Sequence, residues 1–209
     1  MEESGMRRLA ILLLLMLAVE VKAQEVLLIP EDNPRPTYPR NLQRAGFTGD
    51  VRVSFYVNAD GSVNRVKILE SDHPDLAEAS KVTIEKWRFK PWVVKDDRPS
   101  ELEVVAPLVF RLDLTSPIHT NQWIKELKCR DINEELLHAP EYAWIDARPF
   151  HYTRAYLSNV FHTTQLPKEQ RLEWIAKLNK RVPTIVRQCR ASPVRKYMSL
   201  LPEEIRQLL

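Results

Sequence analysis

The run from Gly49 to Ser71 constrains this chain more than any other part of it. Val51, Val53, Phe55 and Val57 alternate with Arg52, Ser54 and Tyr56, which is the period-two grammar of a strand with one buried face. "NADG" follows, where Gly61 is free to take positive φ. "SVNRVKILES" then returns with Val66 and Ile68 on one face. Two such runs joined by so short a turn form an antiparallel hairpin, and a lone hairpin needs a further element on its apolar face to be stable.

The next segments supply that cover. Ser71 or Asp72 can cap a helix whose first turn holds Pro74, and Leu76, Ala79, Thr83 and Trp87 recur at spacings of three and four as one apolar stripe. The stripe runs into "WRFKPW", where Pro91 forbids continuation and restricts Lys90 to extended geometry. Trp87 and Phe89 are expected in the core, sealing helix to sheet, with Arg88 and Trp92 exposed. A third strand follows in "ELEVVAPLVFRL", with Leu102, Val104, Ala106, Leu108, Phe110 and Leu112 facing inward. Pro107 falls on the outward set and has no N–H for a ladder, so this strand is expected at a sheet edge. An edge of this length is either blunted or used.

After Ser116 the pattern becomes helical. "TNQWIKELKCRDINEELLHA" starts with a Thr/Asn cap and carries Trp123, Leu127, Ile132 and Leu136 near helical spacing. "AYLSNVFHT", "PKEQRLEWIAKLNKRV" and "LPEEIRQLL" read the same way, with Pro167 and Pro202 at helix starts and a Glu173–Lys177 pair at i,i+4. Pro140, Pro149, Pro183 and Pro193 are expected to punctuate a compact set of about four helices. The charge is uneven: residues 24–115 hold 13 Lys and Arg against 15 Asp and Glu, and residues 116–209 hold 15 against 10. A surplus of that size fits a solvated helix face and implies no nucleic acid.

The N-terminus sets the expected compartment. Arg7 and Arg8 precede an apolar run from Leu9 to Val19, and "VKAQ" places Val21 and Ala23 at the small-residue positions of a cleavage site before Gln24. The run is shorter than the roughly 20 apolar residues a span needs. Residues 1–23 are therefore expected to be a signal peptide and the chain periplasmic. In an oxidising compartment the only two cysteines, Cys129 and Cys189, are expected to form a disulfide rather than a redox or zinc site.

The ordered motifs resemble a known family. "PTYPRNLQRAGFTGDVRVSFYVNADGSVNRVKILES", "ASKVTIEKWRFKPW" and "VVAPLVFRL" are similar, in order and spacing, to the C-terminal domain of TonB. The resemblance implies an α+β fold over residues 34–115, a small antiparallel sheet with helices on one face; the all-α extension expected over residues 116–209 departs from that family's domain. It implies a site as well: the edge strand takes up an extended peptide, the TonB box, from the N-terminus of an outer-membrane transporter, by β-augmentation. The residues so implicated are Tyr38 and Pro39, which match the family's Tyr-Pro segment. Glu103, Val105, Val109 and Arg111 on the edge strand are implicated too. A transducer of that family has an inner-membrane anchor and a long proline-rich span, whereas the stretch from Gln24 to Tyr38 extends at most roughly 50 Å.

No cofactor or metal is expected. His73, His119, His138, His151 and His162 are scattered, and His151 and His162, the pair best placed to meet, are expected at the surface. No GxSxG, HExxH or phosphate-binding glycine loop is present. Three readings follow: a peptide-binding module whose helical half meets a second envelope partner, an envelope-interaction protein that keeps the fold without peptide capture, and a tethered transducer component.

Overall fold

The computed structural model of the chain describes residues 27–96, 98–159 and 166–209. The signal-peptide segment and His162 lie outside them. The first half runs β1 (Pro30–Asp32), α1 (Arg40–Ala45), β2 (Gly49–Asn58), β3 (Val63–Ser71), α2 (Pro74–Ile84), β4 (Arg88–Phe89) and β5 (Glu101–Phe110). β2 is central in an antiparallel sheet of order β3-β2-β5. Its inward residues Val51, Val53, Phe55 and Val57 are buried against Leu76 and Ile84 of α2. The fold is thus α+β with helices on one sheet face, and a helical extension follows.

The hairpin turn needs glycine twice over. Gly61 sits at φ 84°, and a Cβ there would lie 1.9 Å from the Phe89 carbonyl oxygen. That contact explains the aromatic helix exit. The Phe89 N–H donates to Gly61 O at 2.9 Å, and the Trp92 N–H donates to Ala59 O at 2.9 Å, so the chain leaving α2 is laid along the hairpin turn. Trp87 packs edge-to-face on Phe55 at 5.7 Å and donates from its indole to Pro34 O, while Phe89 is 7% exposed. Trp92 is half-buried rather than exposed, since its indole donates to Pro99 O at 2.8 Å and its ring packs against the same core.

Three local expectations are corrected in this half. The cap of α2 is His73, whose Nδ1 accepts from the Asp75 N–H. Asp72 is instead occupied in accepting the Asp50 N–H. The buried line of α2 is Leu76, Ser80 and Ile84, one position off the predicted stripe. A serine can occupy it because its hydroxyl donates to Leu76 O at 2.7 Å. The helix ends at Ile84, so Trp87 lies beyond it. The pairing of β1 with β4 has no counterpart in the sequence reading.

The second half comprises α3 (Thr120–Glu126), α4 (Cys129–Glu135), α5 (Arg148–Ser158), α6 (Lys168–Ala191) and α7 (Glu203–Leu208). That is five α-helices among the described residues, because the first predicted helix is split. Leu127 turns extended, the Lys128 N–H is accepted by Asp131, and residues 127–130 pair with 193–197 through Cys129 N–H to Arg195 O and Tyr197 N–H to Leu127 O. Pro183 does not punctuate. α6 continues through it to Ala191, held by buried Val182, Ile185 and Val186, and by Cys189, which forms the disulfide with Cys129. Those contacts offset the roughly 3 kcal/mol an internal proline costs a helix.

A mostly polar seam joins the halves. Arg44 forms a two-pronged ion pair with Asp146 at 2.7 and 2.8 Å, and Arg40 pairs with the same carboxylate. Asn179 donates to Arg44 O at 2.7 Å, and Ser158 donates to Gly46 O at 3.2 Å. Gly46 ends α1 at φ 69° and lies so close to α6 that a Cβ would sit 2.3 Å from Ile175 Cδ1. Among the described residues, no helix is long and apolar enough to cross a membrane.

Candidate functional site

The two edges of the sheet differ. β3, on one side, carries two register shifts against β2 and a non-glycine residue at positive φ, Arg65 at 49°. Bulges and charges of this kind, here Arg65, Lys67 and Glu70, blunt an edge. β5, on the other side, pairs with β2 without a shift from Gly49↔Phe110 to Asn58↔Glu101. Among the described residues its far side has no paired strand.

Parity fixes which residues face that side. Ala59 N–H donates to Ser100 O, so even-numbered β5 positions make the hydrogen-bonded pairs with β2. Glu103, Val105, Pro107 and Val109 therefore turn their main-chain groups outward to the unpaired side. Pro107, the one residue there with no donor, faces away from the ladder as its position in the sequence requires.

The side chains of the sequence-predicted residues differ in what they meet. Val105 and Val109 are about half exposed on the sheet face away from the helices. Glu103 accepts from Ser54 Oγ at 2.8 Å and hydrogen-bonds Tyr56 on that same face, holding the Tyr56 hydroxyl above its ordinary range. Arg65 lies 3.7 Å over the Tyr56 ring and pairs with Glu101, which completes a polar cluster at this end of the edge.

At the other end, Tyr38, Val109 and Arg111 come together around a groove of about 520 Å³. The Tyr38 hydroxyl donates inward to Phe47 O and its ring packs edge-to-face on Phe110 at 5.5 Å, so the ring is what it offers the groove. Burial, with a smaller push from Asp113, raises its pKa to about 12. Arg111 is held by Asp113 in a two-pronged pair at 2.6 and 3.0 Å, a hydrogen bond that raises the guanidinium pKa further. Pro39 does not line the groove; it is the residue preceding α1.

Arg35, Pro36, Leu114 and His151 also line this groove, and sequence reasoning did not find them. His151 is half-buried rather than at the surface, and burial lowers its pKa, with Arg154 acting in the same direction. Nothing local to "RPFHYTR" marks that histidine; only the docking of the halves brings it to β5. Among the described residues, no group of three or more His, Cys, Asp or Glu side chains could hold a metal ion.

Fold and edge together define a small α+β module whose sheet keeps one regular edge, unpaired among the described residues. Residues 34–112 match the family model described as the Gram-negative bacterial TonB protein C-terminal, and this segment belongs to that family. The chain is 39% identical over 56 residues to Protein TonB of Klebsiella aerogenes, covering 26% of this chain and 23% of that protein. It is 35% identical over 83 residues to Protein TonB of Yersinia enterocolitica, covering 39% and 30%. The chain thus spans less than a third of the length of these relatives. A solution NMR structure of the Pseudomonas aeruginosa TonB CTD aligns at 25% identity and a TM-score of 0.35, covering 42% of this chain and 89% of that one.

Proposed function

We propose that this chain is a periplasmic binding module for TonB-dependent transport, which takes an extended segment of an outer-membrane transporter onto the open edge of β5. The observation that carries this reading is the contrast between the two sheet edges. β3 is bulged and charged, while β5 is regular and presents valines and unpaired main-chain groups. Main-chain hydrogen bonds along such an edge supply affinity, and alternate side chains supply preference. The binding residues are Glu103, Val105 and Val109 through their backbone, with Tyr38 and Arg111 at the groove. Pro39 acts by setting the direction in which α1 leaves Tyr38. No step of this function involves catalysis.

The test is a proline placed where only the open side uses the N–H. Val109→Pro removes an outward donor and leaves the β2 ladder intact. It should weaken binding of a transporter N-terminal peptide by about 1 kcal/mol or more, the usual net value of a hydrogen bond, with little change in melting temperature. Calorimetry and a melting curve give the two numbers. Unchanged affinity in a folded variant would overturn edge capture and put the envelope-interaction reading first.

A further inference from the structure

The groove at the C-terminal end of β5 belongs to both halves of the chain. Pro36, Tyr38 and the strand itself come from the sheet half, Leu114 from the connection, and His151 from α5. A segment paired to β5 would run roughly 4.8 Å from it, with every second side chain on the face toward the helices. Side chains on the other face would lie beside Val105, Pro107 and Val109, over a separate groove shared with Arg52 and Glu70. Those on the inner face, level with Leu108 and Phe110, would enter the groove.

We propose that the helical half completes the peptide site, walling a pocket that selects an extended segment with a bulky apolar side chain on its inner face and an acidic residue beside it. This deepens the edge-capture reading and rests on it. The groove is continuous with the open edge, because Pro107 and Val109 line both. One wall is held from two directions: the Tyr38 hydroxyl donates to Phe47 O and its ring makes a T-shaped contact with Phe110. The walls are also mainly apolar, with His151 favoured in its neutral form by burial. Among the described residues no carboxylate lines the groove. Of its two arginines, Arg111 is already paired with Asp113 behind it, while Arg35 stands exposed at the rim, where an acidic neighbour would complement it.

The test uses a displayed library of random decapeptides panned on the full chain. Three variants are panned in parallel: Leu114→Trp, which fills the groove from a position 56% exposed, Arg35→Glu and Val109→Pro. The unaltered chain should enrich a bulky aliphatic or aromatic residue at one inner-face position with an acid nearby. On Leu114→Trp that preference should vanish while strand-forming binders are still recovered. A selected peptide should lose about tenfold in affinity for that variant, and its alanine-substituted form less than twofold. Arg35→Glu, an exposed change, should exchange the acidic preference for a basic one and serves as the decisive arm if Leu114→Trp does not fold. The same preference on the unaltered chain, Leu114→Trp and Arg35→Glu would overturn the pocket and leave edge capture standing. Binders indifferent to Val109→Pro would overturn edge capture and the pocket with it.

Discussion

In the sheet half, the buried apolar side chains of β2 lie on one side of a three-stranded layer, under Leu76 and Ile84, and the opposite face carries the exposed Val105 and Val109 and the polar cluster of Ser54, Tyr56 and Glu103. The helical half encloses Phe150, Leu178 and Tyr197 on every side and ties α4 to α6 with the Cys129–Cys189 bond. One half leaves main-chain groups of β5 outside any ladder among the described residues; the other buries its few core hydroxyls, such as Thr153 and Tyr197, in hydrogen bonds with each other. The difference teaches where binding can happen. A fully enclosed helical core has no edge to lend, so its part in the proposed site is to present side chains, and among the described residues of the helices His151 is the one that lines the groove.

The comparison breaks if the halves do not unfold as separate cores. Phe55→Ala should cost about 3 to 5 kcal/mol, as should Phe150→Ala, since both rings are essentially inaccessible. Each should lower one transition in a denaturant titration and leave the other near its original midpoint. Equal displacement of a single transition by both variants would mean one cooperative unit. Reducing the disulfide should come next in size. A bridge with a sequence separation of 60 is worth about 4 kcal/mol in the chain-entropy account. Melting with and without reductant should move only the helical transition.

The seam sharpens the comparison at a smaller scale. Hydrogen bonds from Arg44 hold the Asp146 carboxylate below its ordinary range, and Arg40 reinforces them. An acid with a depressed folded pKa contributes stability that is present above its unfolded value and lost as pH falls through the folded one. His151 is a base with a lowered folded pKa, so its unfolded form binds the proton more readily, and stability also falls on acidification, starting near its ordinary value of 6.5. The two acid losses should therefore be separable, the histidine's first. Asp146→Asn should remove the lower one and cost about 1 kcal/mol at neutral pH, given that the pair is partly exposed. A pH titration of both melting transitions checks this. An unchanged low-pH limb in Asp146→Asn would show that the seam carries no linkage.

Much of the sheet half was legible because its determinants are local. Alternation marks β2, Gly61 marks the turn, and Pro107 marks the edge, each within a few residues of the feature it sets. The end of α2 was less so, since Ser80 reads as polar until its bond to Leu76 O is seen. In the helical half, the break at Leu127 comes from backbone pairing with a segment almost 70 residues away, and the passage of α6 through Pro183 comes from burial around it. The site divides in the same way. Tyr38, Val109 and Arg111 are visible as parts of a strand and its approach, whereas Arg35, Leu114 and His151 become neighbours only once α1 has docked on α6.

The smallest expected effect concerns Pro107 itself. It is the only position on the open side of β5 without a donor, and a proline on an edge limits pairing with other chains. Pro107→Val would restore the donor and leave the ladder to β2 untouched, because the Arg52↔Pro107 pair makes no hydrogen bond across β2 and β5. Fold stability should change by no more than about 0.5 kcal/mol, as for a surface substitution. The consequence should appear instead in association. Sedimentation over a range of concentrations should show self-association of Pro107→Val where the unaltered chain shows less, and the helical half should be unaffected. No change would place the protection of this edge elsewhere, in Glu101, Glu103 and the cluster they form with Tyr56 and Arg65.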